Sequence, residues 1–254
     1  MGERTSYTPG TFCWVDLVSA EPDASKTFYT ALFGWDYQDF PIGDGALYSV
    51  AQLDGKPVAA IVPLPDPSVP PHWNCYVSVE DADAAAARAQ ELGATVVLPA
   101  GDVGDSGRLA VIQDPQGALL SVWEPGEHFG AGLVNVPGAL SWNDLLTPDV
   151  EASARFYRDL FGWQVDEIPG AEGRYWSIAN GEIKNGGLMP APPGGHPAWN
   201  LYFAVDDTEE TAARADRLGA QTVMGPMDVP GGRFVVLRDP QNAVFSVLDG
   251  ELDP

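Results

Sequence analysis

The chain repeats itself. The segment FCWVDLVSAEPDASKTFYTALFGWDY begins at Phe12, and LSWNDLLTPDVEASARFYRDLFGWQV begins at Leu140. Trp14 falls on Trp142, Asp16 on Asp144, Phe28 on Phe156 and Trp35 on Trp163, each at an offset of 128 residues. WNCYVSVEDADAAAARAQELGA from Trp73 matches WNLYFAVDDTEETAARADRLGA from Trp199 at an offset of 126, and DPQGALLSVWE from Asp114 matches DPQNAVFSVLD from Asp239 at 125. Three ordered blocks with so little drift in spacing mean a duplication, so the chain must fold as two copies of one unit. The expected domains are 10–126 and 137–250. Between them, Glu124 to Ala139 is rich in Gly and Pro and has no period, which reads as a surface crossover.

Each copy divides again, at PLPDPSVPPH in the first and PAPPGGHP in the second. Every sub-unit opens on an alternating apolar run, such as Phe12 to Leu17 or Tyr76 to Val79. A helix follows. In the second sub-unit Asp81 can cap its start and Gly93 can end it; in the first, Gly34 stops the helix. Apolar strands close the unit, with DPQG as a turn before the last. The expected class is α+β, with four βαβββ modules forming curled mixed sheets around cavities. A lone four-stranded module leaves one sheet face bare, so modules must pair. Whether the first pairs with the second or the fourth stays open.

Charge narrows the partners. With 13 basic and 36 acidic residues the formal net charge is −23, which repels nucleic-acid phosphates and anionic lipid surfaces. MGERTSYTPG has no apolar run behind its charges, so no signal peptide is expected, and no stretch reaches the ~20 apolar residues that span a bilayer. The two cysteines, Cys13 and Cys75, make neither a disulfide framework nor a zinc spacing, and they fit a cytoplasmic location. Both are expected to be small core residues on the strand face opposite the candidate site.

The duplicated FYxxLFGW, RAxxLGA and DPQ segments, in order and covering nearly the whole chain, resemble the glyoxalase/bleomycin-resistance/extradiol dioxygenase (vicinal oxygen chelate) superfamily. The resemblance implies glyoxalase-like domains, each of two paired modules enclosing a cavity. In metal-dependent members, His, Gln or Glu on the first and last strands of the modules hold a divalent ion.

Carried over one position at a time, the first-strand ligand places hold Trp14, Asn74, Trp142 and Asn200. The last-strand places hold Ser121 and Ser246, with Ala or Gly in the first and third modules. Indole offers no lone pair, and Ser and Asn are poor ligands for transition ions. His72, His128 and His196 are not at equivalent places. No cofactor is therefore expected, and a divalent metal is disfavoured. Asp16 and Asp144 lie two residues beyond the tryptophans and share their strand face. Each is read either as an interface Asp bonded to backbone donors or as a ligand-contacting residue and candidate general base. Tyr76 and Tyr202 share a face with Asn74 and Asn200. Trp14, Trp142, Trp73 and Trp199 are read as core residues, or as aromatic walls for a flat ligand or for a cation over the indole face. Arg108 and Arg233 are expected to be solvated strand-edge charges.

The expected function is small-molecule binding without a catalytic metal. The alternative is a lyase, isomerase or secondary-metabolism tailoring enzyme acting on an oxygenated small molecule, with glyoxalase activity proper disfavoured. The expected assembly is a monomer mimicking a two-module dimer, or a homodimer.

Overall fold

A computed structural model of the chain describes residues 2–169, 174–192, 194–229 and 232–250. The first module runs β1 (Phe12–Ser19), α1 (Pro22–Phe33), β2 (Asp36–Pro41), β3 (Leu47–Leu53) and β4 (Lys56–Pro63). The second runs β5 (His72–Ser78), α2 (Ala82–Glu91), β6 (Thr95–Val103), β7 (Gly107–Gln113) and β8 (Leu119–Pro125). The third runs β9 (Leu140–Thr147), α3 (Val150–Phe161), β10 (Gln164–Glu167), β11 (Trp176–Asn180) and β12 (Ile183–Pro190). The fourth runs β13 (Ala198–Ala204), α4 (Thr208–Arg217), β14 (Gln221–Val229), β15 (Gly232–Arg238) and β16 (Val244–Gly250). The βαβββ order thus occurs four times.

Local chemistry sets the helix ends. Asp81, Asp149 and Asp207 each accept a hydrogen bond from a first-turn backbone N–H, which satisfies an otherwise orphaned donor. Helix α1 has Pro22 in its first turn instead, where a missing N–H does no harm. Gly34 and Gly162 close α1 and α3 in the left-handed conformation, at φ of 77° and 76°.

Modules pair within each half. Strand β1 runs antiparallel to β5, and β9 to β13. Each half becomes one eight-stranded sheet, ordered β2-β3-β4-β1-β5-β8-β7-β6 and β10-β11-β12-β9-β13-β16-β15-β14. The sheets are mixed and are not closed barrels, because β2, β6, β10 and β14 remain edges.

The two halves share one core, built on the sheet faces that carry the helices. Phe12 of β1 packs against Trp163 and Trp199, and Phe203 of β13 packs against Trp35 and Trp73. The polar atoms of these rings find partners across the pseudo-two-fold. Tyr29 donates to Asp239 at 3.0 Å and Tyr157 to Asp114 at 2.9 Å. Trp35 Nε1 donates to the Gly138 carbonyl at 2.8 Å and Trp163 Nε1 to that of Gly10 at 2.7 Å. The duplicated FY and DPQ motifs are therefore the two sides of a reciprocal interface. Trp73 and Trp199 belong to this core, each donating to the neighbouring tyrosine hydroxyl.

The crossover between the halves departs from expectation. Ala131, Leu133, Val134 and Ala139 are buried, so this segment is packed rather than lying over the surface. Its N–H and C=O groups do not need water: Ala131 N bonds the Cys13 carbonyl, Gly132 N that of Pro57, and Arg4 N that of Gly132. No helix among the described residues is long and apolar enough to cross a membrane.

Candidate functional site

Strand alternation puts Val15 and Leu17 in the shared core and leaves Trp14 and Asp16 on the opposite, helix-free face. The antiparallel register sets Trp14 opposite Tyr76 and Asp16 opposite Asn74. Five side chains from three strands then converge. Asn74 Nδ2 donates to Asp16 Oδ1 at 2.9 Å, and Tyr76 donates to Oδ2 at 2.6 Å. The Tyr48 hydroxyl reaches Oδ2 at 3.3 Å while accepting from Trp14 Nε1 at 2.8 Å. Ser121 of β8 in turn bonds Tyr76.

The second half builds the same site with different spacing. Register again opposes Trp142 to Tyr202 and Asp144 to Asn200. Trp142 Nε1 donates to Asp144 Oδ1 at 2.9 Å, and Tyr175 donates to the same oxygen at 2.8 Å. Tyr202 also bonds Asp144, and Asn200 turns to Ser246 Oγ at 2.9 Å. One small residue permits the closer tyrosine. A Cβ on Gly187, the register partner of Asp144, would lie 2.0 Å from the Tyr175 hydroxyl and 2.6 Å from Asp144 Oδ1. The first half has Ala60 opposite Asp16.

Both aspartates are buried, and burial pushes each carboxyl above its ordinary range. Their side-chain donors oppose that shift by stabilising the charged form. The donors are side chains and not the backbone groups expected of an interface Asp. The tyrosines shift upward as well, mainly through burial and then through the aspartate charge. The arrangement can fix indole and phenol orientation around a buried carboxyl.

The donor set does not fit a transition ion. The residues facing the site from the four central strands are Trp14, Asp16, Ala60, Asn74, Tyr76 and Ser121 in the first half, and Trp142, Asp144, Gly187, Asn200, Tyr202 and Ser246 in the second. The single carboxylate of each half is already engaged by neutral donors. Among the described residues, no three His, Cys, Asp or Glu side chains converge.

The halves differ in cover. In the first, the linker and the segment before β1 lie over the helix-free face. Trp14, Ala60, Tyr76 and Trp123 cluster there with Ala131 and Val134, with Tyr7 packed alongside. Gly130 makes the close approach possible: at φ +123° its missing Cβ would sit 2.4 Å from the Cys13 carbonyl. The His128 ring stands edge-on to Trp14 at 4.5 Å, and its Nε2 is buried without a hydrogen-bond partner among the described residues. Burial pulls its pKa down to about 4. Trp14 is 2% exposed, whereas Trp142 is only half-buried.

Other expected positions sort as follows. Cys75 faces the shared core, but Cys13 packs in the cluster of Trp14, because the register shifts between Phe12 and Trp14. Both thiols are buried and free, and burial raises them, Cys75 to about 12, so neither is a poised nucleophile. Arg108 bridges Asp83 and Asp102, and Arg233 bridges Glu209 and Asp228, tying the strand ends to the helices. Sequence reasoning missed Tyr48, Tyr175 and His128. The two tyrosines were detectable, since they stand 127 residues apart within the repeat. Nothing in the sequence places a linker histidine against Trp14.

Comparison with known proteins agrees with this architecture. A model of the glyoxalase-like domain matches residues 14–123 and again 143–248. The chain is 44% identical over 255 residues to the putative glyoxylase CFP32 of Mycobacterium bovis, covering 98% of each protein. It is 33% identical over 261 residues to the anthracycline biosynthesis protein DauV of Streptomyces sp. (strain C5), covering 96% of this chain and 95% of that one. Among solved structures, the Mn(II)-bound glyoxalase from Novosphingobium aromaticivorans superposes with a TM-score of 0.67 at 18% identity, over 99% of this chain and 84% of that one. The 2,3-dioxygenase LapB from Pseudomonas sp. KL28 gives 0.67 at 14% identity, over 98% and 96%. Two matched domains, full-length relatives and a shared fold establish that this chain belongs to the glyoxalase-like family of the vicinal oxygen chelate superfamily, as a tandem duplication.

Proposed function

We propose that this protein binds a flat, oxygen-bearing small molecule on the helix-free face of its second sheet, without a transition metal. The Asp144 cluster carries the reading. A buried carboxylate there locks the indole of Trp142 and the phenols of Tyr175 and Tyr202, while Trp142 itself is half-buried. A fixed aromatic wall beside oriented hydroxyl and amide groups suits a planar ligand with oxygen substituents. The anthracycline-biosynthesis relative supports that ligand class. A cytoplasmic location and a monomer that mimics a two-module dimer belong to the same reading, on the free thiols and the reciprocal core.

The test combines three measurements on the whole chain. Small molecules extracted from the purified protein are identified by mass spectrometry. An anthracycline is titrated against tryptophan fluorescence, where Trp142→Ala should weaken binding by about 1–3 kcal/mol and Trp14→Ala should not act through contact with the ligand. Elemental analysis should find zinc, nickel, iron and manganese below stoichiometry. One tightly held transition ion per half would sink the metal-free reading, and binding indifferent to Trp142→Ala would sink the site.

A second reading is a tailoring enzyme, a lyase or isomerase on the same ligand class. It is favoured by the anthracycline-biosynthesis relative and by a buried carboxyl, held among hydroxyl donors, whose pKa burial raises. Asp144→Asn would then leave binding intact and abolish turnover.

A further inference from the structure

The third module carries a cleft on the helix side of the sheet, and the equivalent place in the first module is filled differently. A cleft of about 250 Å³ lies between α3 and strands β10 and β11, lined by Glu151, Ala154, Arg155, Arg158, Val165 and Trp176. Arg174 stacks on Trp176 at 4.7 Å at its edge. This site is separate from Asp144: Tyr175 points to Asp144, and the next residue along the chain, Trp176, turns to the helix side.

In the first module the same place is closed. Lys26 stands where the third module has Ala154. Its ammonium lies over Tyr37 at 5.8 Å and bonds Asp39 at 2.9 Å, which fills the gap between helix and strand. Thr27 and Thr30 stand where the third module has Arg155 and Arg158, and both hydroxyls are used internally, on the Asp23 and Trp35 carbonyls. So the βαβββ scaffold is completed without arginines at these places. The third module has alanine where the first has the filling lysine, and two arginines one helical turn apart line the space this leaves.

Arg155 and Arg158 are exposed and make no ion pair or side-chain hydrogen bond among the described residues. In a chain of 13 basic and 36 acidic residues, two unpaired arginines beside a third in one cleft run against the general charge. Guanidinium forks match phosphate oxygens with two parallel donors each, and Glu151 leaves the cleft net positive by one when Arg174 is counted with its partner Glu167. We propose that this cleft is an anion site that takes the phosphate of a small phosphate monoester. The geometry admits the phosphate to the arginine pair, with the ester group over Ala154 and Val165.

Calorimetric titration of the full chain with phenyl phosphate at low ionic strength tests this. One equivalent should bind, and added salt should weaken the binding. Arg155→Ala with Arg158→Ala should weaken it at least tenfold. Arg108→Ala, which removes a surface arginine held by acidic partners, should leave it unchanged. Thermal unfolding of the double variant checks that it folds, and both residues are exposed. No saturable binding would overturn the proposal, as would binding that survives the double substitution. Inorganic phosphate binding as tightly as phenyl phosphate would overturn the assignment to a monoester.

Discussion

The two sheets present the same residues on their helix-free faces and treat them differently. In the first half Trp14 and Tyr76 pack with the linker, with His128 edge-on to the indole, and Asp16 and Asn74 stand beside them. In the second half Trp142, Asp144, Asn200 and Tyr202 keep the same register, yet Trp142 is half-buried and Gly187 lets Tyr175 close on the aspartate. The shared core is symmetric to within a tenth or so of an ångström in its tyrosine–aspartate bonds. The halves therefore keep matching contacts with each other and differ in how each helix-free face is covered.

The sharpest way to break that comparison is to truncate the two tryptophans. Trp14→Ala should cost about 3–5 kcal/mol in urea denaturation, because it empties a packed cluster. Trp142→Ala should cost about 1–2 kcal/mol, in proportion to the smaller area removed from contact. Equal losses would mean that the first face is no better filled than the second.

The symmetric part of the comparison predicts equality. Tyr29→Phe and Tyr157→Phe each strand a buried aspartate without its cross-half donor, at about 1–3 kcal/mol. The two values should agree within the error of the measurement. A marked difference would show that the interface has diverged as the faces have.

The smallest effect is a pH dependence confined to the first half. His128 has an ordinary pKa of 6.5 and a folded one of about 4. The fold favours its neutral form, so this contribution is complete above pH 6.5 and is lost as pH falls from 6.5 through 4. Comparing wild type with His128→Phe between pH 7 and 5.5 isolates it, at about 1 kcal/mol. A wild-type-minus-variant difference that stays flat across the window would remove His128 from the buried face.

Much of the fold was legible because repetition and periodicity are local signals. The four strand–helix–strand runs, the Asp caps and the helix-ending glycines each depend on residues a few places apart, and the structure has them where the sequence puts them. Strand alternation likewise placed Trp14 with Asp16 and Trp142 with Asp144 on one face. It failed at Cys13, where an irregularity in the β1–β5 register turns the side chain toward Trp14. It also missed Tyr48 and Tyr175, whose roles come from strands β3 and β11, far along the chain from the aspartates they bond.

What the sequence determined by itself was the unit and its number: one βαβββ pattern four times over, with Trp, Asn and Ser at the places where metal-dependent relatives keep ligands. Tertiary structure decided which modules pair, where the linker lies and which face stays open. The physical reason is that these choices are settled by contacts between distant segments. The Tyr29–Asp239 and Tyr157–Asp114 bonds join the two halves, and Gly130 against the Cys13 carbonyl brings the linker onto β1. A Gly- and Pro-rich segment reads as surface because it lacks a period, but a backbone whose N–H and C=O groups find partners can be buried as readily as a strand.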